Sequence, residues 1–257
     1  MPTVTLLQKA YGLFPSKAFE PLVMSLCKGL NVRLEVVGGT DRGWIKALVS
    51  GEDEAVALRL LDREIGLAPA SADMLKKFLT VKGSVLSFDR NEEELVVDIG
   101  VFSPNTCDAY TPLQCLRAQL ADGKMLSFKQ LTELFCLCEN LPVEIKVVGD
   151  VDADGKPVEA MFSEGQLSQF SVWVRSSLDR LIVLGVPLGK VEHAVRVSRH
   201  ARDVIRVQSL GLLEHAILCK LGTDARGLVP KLGALLPDAV LEPFSPRKIR
   251  AVVGSYI

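Results

Sequence analysis

The longest nearly apolar run in this chain, Leu181-Ile-Val-Leu-Gly-Val-Pro-Leu188, covers eight residues and is broken by Pro187. That is far short of the roughly 20 residues a membrane span needs. Apolar stretches this short, punctuated by Gly, Pro, Asp and Ser, build short strands and short helices. The apolar share is nevertheless 48%, with 30 basic side chains against 31 acidic ones, which excludes an extended disordered polymer. A chain of 257 residues has room for two domains or three small ones and buries a sizeable core without disulfide or metal staples. Its first ten residues, Met1 to Ala10, hold no basic segment followed by an apolar one, so a secretory leader is not expected and a soluble cytoplasmic protein is.

Three segments follow from the pattern, and together they predict an α+β protein. Residues 1–76 read as a small α/β unit. It has a strand over Thr3–Gln8, a helix from about Ser16 to Lys28 behind Pro15, and two β-rich runs, Val32–Val37 and Trp44–Val49, joined by the glycine-rich turn Gly38–Gly43. A second helix, Glu52–Ile65, is closed by Gly66. The order β-α-β-β-α is most of a ferredoxin-like split βαβ. Residues 77–150 change texture. Strand-like runs at Val81–Arg90, Glu94–Gly100 and Asp108–Leu113 precede a helix over Ser127–Cys138 and a strand over Val143–Val148. The acidic stretch 149–157 reads as a solvated hairpin or linker, because Met161 stands where a calcium-binding EF-hand needs its bidentate Glu. Residues 158–257 read as a basic α+β domain. The expected elements are a helix from Glu164 to about Leu184, a second from Leu188 to about Arg199, and strands at Val204–Val207 and His215–Lys220. A helix to about Leu236 follows, with Pro230 in its first turn, and then a short β-like tail.

Cys27, Cys107, Cys115, Cys136, Cys138 and Cys219 include no Cys-x-x-Cys pair, and His193, His200 and His215 lie far downstream of all but the last. Cys136 and Cys138 fall in a helical pattern, where i and i+2 point apart. Buried structural thiols are expected, with no metal and no cofactor. The nucleophile-elbow, zinc-protease, dinucleotide and Walker patterns are all absent, and adjacent Glu214 and His215 point to opposite faces of a strand. The residues therefore nominate no catalytic group.

Charge is the clearest asymmetry. From Ser171 onward 13 basic side chains face seven acidic ones, whereas the preceding 170 residues hold 17 and 24. A basic final third points to an anionic partner, nucleic acid first, or to a basic domain docked on an acidic one. Arg196, Arg199 and Arg202 are three apart and share a face if the helix reaches that far, with His200 and Arg206 beside them. Planar guanidinium groups at such spacing suit phosphate oxygens. Lys220, Thr223, Asp224, Arg226 and Lys231 surround a strand-to-helix turn, where free N–H groups favour an anion, although Thr223 or Asp224 equally serves as a helix cap.

The middle segment resembles an S1-type OB domain in three places: Lys82-Gly-Ser-Val85, Glu94-Leu-Val-Val-Asp-Ile-Gly100 and Asp108-Ala-Tyr-Thr-Pro-Leu-Gln-Cys-Leu116. The resemblance implies a β-barrel that binds RNA on its strand face, with Phe88 and Tyr110 as the stacking candidates. Over its whole length the chain is similar to a family of uncharacterised archaeal proteins containing a domain of unknown function. Arg199–Asp203 and Leu210–Gly233 carry that similarity. The expectation is a non-enzymatic protein that binds RNA or a ribonucleoprotein through its basic third. The alternatives are a small-ligand sensor, since the turn Thr223–Gly233 resembles that of ACT regulatory domains, and a scaffold for an acidic protein partner.

Overall fold

Val32, Leu34 and Val36 alternate with Arg33, Glu35 and Val37, and the strand they form buries the first set and exposes the second. The computed structural model describes residues 2–11, 14–87, 93–103, 105–150 and 156–254. These fold as a mixed α+β protein with two antiparallel sheets, a closed five-stranded barrel and eight α-helices among the described residues.

The first unit contains β1 (Thr3–Lys9), α1 (Phe19–Leu26), β2 (Val32–Gly39), β3 (Trp44–Gly51) and α2 (Glu54–Glu64), with sheet order β1-β3-β2. After α2 the chain turns at Gly66 and lays Leu67 against Leu6 in a single antiparallel bridge on the free side of β1. At Gly43 the backbone has φ +84°, and a Cβ would sit 2.8 Å from the Ala10 carbonyl, so only glycine fits the end of this hairpin. The buried side chains of both helices and of β2 and β3 make one core, which also takes Leu213 from the far end of the chain.

The barrel runs β4 (Thr80–Val85), β5 (Glu94–Val101), β6 (Cys107–Pro112), β8 (Val158–Phe162), β7 (Pro142–Val147) and back to β4. All its pairs are antiparallel except β6 with β8. Gly83 allows β4 to cross β5 closely, since a Cβ there would lie 2.6 Å from Val97 Cγ1. Two helices, α3 (Leu113–Ala121) and α4 (Phe128–Phe135), connect β6 to β7. The sequence reading ended this segment at residue 150 and gave 158 onward to the next. That boundary is corrected by β8, because without its pairing to both β6 and β7 the barrel would not close.

The last unit contains α5 (Glu164–Arg175), β9 (Arg180–Leu184), α6 (Leu188–Val197), β10 (Val204–Ser209), β11 (Glu214–Cys219), α7 (Ala225–Leu235), β12 (Val240–Phe244) and α8 (Pro246–Val253). Its sheet, in the order β10-β11-β9-β12, is antiparallel throughout. One face packs Leu181, Val183, Ile217 and Cys219 against α6 and α7. The other sets Ile182, Leu184, Ala216 and Phe244 into the core shared with the barrel. Edge-to-face aromatic contacts run from Phe162 through Phe170 and Trp173 to Phe244, with ring centroids 5.8, 6.2 and 5.2 Å apart.

Several expected elements change. The helix expected from Glu164 to about Leu184 ends at Arg175, and Arg180–Leu184 is a strand with every residue buried. A central strand covered on both faces reads as a continuous apolar run, which periodicity does not separate from a buried helix. Helix α3 has no counterpart among the expected elements; it starts directly after Pro112 with no side-chain cap to announce it. The β-like tail is replaced by β12 and α8, and Pro230 lies in the interior of α7 rather than its first turn. Helix α4 stops at Phe135, and Cys136 caps it in a left-handed conformation with φ 53°. All six cysteines are free. No helix among the described residues is long and apolar enough to cross a membrane.

Candidate functional site

Two cation-bearing turns meet at one end of the C-terminal sheet. The segment leaving α6 passes Arg199, held at φ 66°, and a 3₁₀ turn over His200–Arg202 before entering β10. The second turn leaves β11 at Lys220 and enters α7 through Asp224. They are tied side by side, because the Lys220 N–H donates to the Asp203 carbonyl at 2.8 Å and Val204 pairs with Cys219. Arg196, Arg199, Arg202, Arg206, Lys220 and Arg226 are exposed around this junction, and none makes an ion pair among the described residues. The acids in between are committed elsewhere. Asp203 accepts or shares a proton with His200 Nδ1 at 2.7 Å, and the two carboxylate oxygens of Asp179 lie within reach of the Ala225 N–H and the Ser245 hydroxyl.

The geometry revises the expected constellation. Arg196, Arg199 and Arg202 do not share a helix face, because α6 stops at Val197; the turn gathers them instead. Asp224 does not present a free anion-binding end. Its Oδ1 accepts the Arg226 N–H at 2.9 Å and so occupies the first turn of α7. Thr223 and His200 are half-buried, and Lys231 is exposed a turn further along α7, away from the junction. Phe88 lies outside the described residues. Tyr110 is half-buried on the outer face of β6, opposite Val96 and Glu159. That face is acidic and already engaged. Lys9 Nζ sits 2.9 Å from Asp98, and the Arg42 guanidinium reaches both Asp98 and Asp108, so the first unit docks on the barrel strands where stacking was expected.

The sequence reading missed a cavity of about 410 Å³ where all three units meet. Gln8, Lys9, Ser84, Gln166 and Glu214 line it, each at most 7% exposed, which is five of the eleven buried polar residues among the described residues. Trp44, Phe135, Phe170 and Trp173 supply aromatic wall, and exposed Glu64, Gly165 and Ser209 mark the mouth. The network on its far side joins the first unit to the last. Glu214 Oε1 accepts from the Tyr11 hydroxyl at 2.6 Å and from Gln8 Nε2 at 2.9 Å, while Gln8 Oε1 accepts the Leu212 N–H at 3.0 Å. Burial raises the Glu214 carboxyl above the usual range despite those donors, and raises the Tyr11 hydroxyl as well. On the opposite side of β11, His215 Nε2 lies 2.9 Å from the Val186 carbonyl, and burial pushes its pKa down to about 4. One signal for the cavity was present in the sequence: Gln8 and Glu214 are polar residues within apolar strands.

Among the described residues no three His, Cys, Asp or Glu are placed to hold a metal ion. Compared with known proteins, the chain matches the model of the DUF2110 central domain over residues 79–174, which takes in the barrel and most of α5, and that of the DUF2110 C-terminal domain over residues 178–242. No curated protein matches the chain.

Proposed function

Since the chain carries the central and C-terminal domains of the uncharacterised DUF2110 family, its function is read from its own residues, and we propose that it binds RNA or a ribonucleoprotein through the cationic end of its last unit. The observation that carries this reading is the pair of turns tied by Lys220 and Asp203, in and beside which six exposed cations stand without an ion-pair partner among the described residues. Exposed guanidinium and ammonium groups with their charge uncommitted bind phosphates and release condensed counterions. The barrel order β4-β5-β6-β8-β7 supports an S1-like OB reading of the middle unit, used here as the spacer that carries the basic unit. Six free thiols fit a reducing cytoplasm.

Fluorescence anisotropy with a single-stranded and a structured RNA tests the proposal. Affinity should fall about 10³-fold between roughly 50 and 200 mM salt if six phosphates are neutralised. The Arg199→Ala/Arg202→Ala double variant should bind several-fold more weakly at an unchanged melting temperature. Equal affinity in that variant rejects the assignment.

A second reading rests on topology. The C-terminal unit runs β9-α6-β10-β11-α7-β12 with the sheet order β10-β11-β9-β12, the complete split βαβ arrangement that ACT-type ligand sensors also use. This favours small-ligand binding by the same chain. A ligand that raises the melting temperature would support it.

A further inference from the structure

The cavity at the meeting point of the three units is built unlike a packing defect. Voids left by imperfect packing are lined by apolar side chains. This one instead gathers five of the eleven buried polar residues among the described residues, and one of its lining groups, the Trp44 indole N–H, is buried with no hydrogen-bond partner among them. An unpaired buried donor carries a desolvation penalty that a bound acceptor removes. The volume of about 410 Å³ falls within the range of small-molecule sites.

The lining also specifies the chemistry of the occupant. Trp44, Phe135, Phe170 and Trp173 give the wall aromatic surface, which suits a ring system. Lys9 is the only cation at the wall that is buried, and its charge is already taken by Asp98 at 2.9 Å. Glu64 and Glu144 also line the space against Lys82, so a phosphate or carboxylate ligand would meet more carboxylates than uncommitted cations. The Gln8 and Gln166 amides are already paired with Glu214, Leu212, Glu144 and Gln169, so the neutral polar groups at the wall are held in fixed orientations. We infer that the cavity binds an uncharged, flat heteroaromatic molecule of nucleoside size, one that accepts a hydrogen bond from Trp44 and exchanges one with Ser84. This site does not depend on the cationic end, and the titration below separates a base delivered as a free nucleoside from one delivered by a bound RNA.

The protein reports on this site directly, because its two tryptophans, Trp44 and Trp173, both line it. The experiment titrates the full chain with adenosine, guanosine, cytidine and uridine, with their monophosphates, and with short RNA, following tryptophan emission and then calorimetry. Saturable quenching by a nucleoside, with its monophosphate binding more weakly, is the expected result. Trp44→Phe removes the unpaired indole N–H together with part of the ring beneath Lys9, and Ser84→Ala removes a hydroxyl at the wall; each should weaken that binding about 3–10-fold, the loss of one hydrogen bond, and Ser84→Ala should do so at an unchanged melting temperature. Quenching by RNA alone, weakened by Ser84→Ala, assigns the same site to a base of the bound strand. The inference is overturned if neither nucleosides nor RNA quench, if monophosphates bind as tightly as nucleosides, or if binding ignores both substitutions. Anisotropy of the Arg199→Ala/Arg202→Ala variant separately decides the cationic reading.

Discussion

Glu214 and His215 are neighbours on β11 that point to opposite faces, and burial shifts both in the direction of their uncharged forms. Their effects on stability have opposite signs. The folded state holds the Glu214 proton more tightly than the unfolded chain does, so its contribution is full below the ordinary carboxylate range and is lost as pH rises through the raised value. His215 falls from 6.5 to about 4, so its contribution is full above 6.5 and is lost as pH falls through about 4. Glu214→Gln keeps acceptors for Tyr11 and Gln8 and removes the titration. Urea unfolding should show wild type gaining on this variant at pH 5 relative to pH 8. His215→Gln should show the reverse, with the wild-type advantage larger at pH 7.5 than at pH 4.5. A pH-independent difference in either case would mean that the group does not titrate across folding.

At the scale of elements, helix α7 tests where the cationic end stops. Asp224 caps that helix and adds a negative charge beside Lys220 and Arg226. Asp224→Asn retains a capping oxygen while removing the charge, so RNA should bind a few-fold more tightly at little cost in melting temperature. Weaker binding would mean that the carboxylate itself takes part in recognition. Elements with their own local signals were legible beforehand. The β2–β3 hairpin announced itself by alternation and glycine, and α2 by its stripe and Gly66. Strand β9 was not, because Arg180–Leu184 is buried on both faces and its composition is the same for helix or strand. Helix α3 carried Leu113, Leu116 and Leu120 at helical spacing, but Pro112 ahead of it read as the end of a strand.

For the whole molecule, the first unit serves as a wedge between the barrel and the last unit. It holds the barrel through Lys9 and Arg42, and the last unit through Tyr11, Gln8 and the core position of Leu213. Lys9 also lies 4.7 Å over the Trp44 ring, so its ammonium is buried with one carboxylate and one aromatic face. Removing that carboxylate by Asp98→Ala leaves the charge uncompensated and should cost about 3–5 kcal/mol. Lys9→Met in the same chain should recover most of the loss. Chemical unfolding of the two variants checks this. A loss within about 0.5 kcal/mol, the size of a surface substitution, would mean that the junction is wet and loosely held.

The sequence by itself determined the α+β class, the basic final third and the short strands with their turns. Each of these follows from local periodicity, from turn residues with a fixed φ, or from counting charges. Only the tertiary structure decided that β8 belongs to the barrel, that the arginines gather by two turns tied together rather than along a helix, and that Asp98 and Asp108 are occupied by the first unit. It also placed Gln8, Ser84, Gln166 and Glu214 around one cavity. These residues are up to 206 positions apart. Each is unremarkable among its neighbours in sequence, and only packing gives it a low-dielectric environment shared with the others.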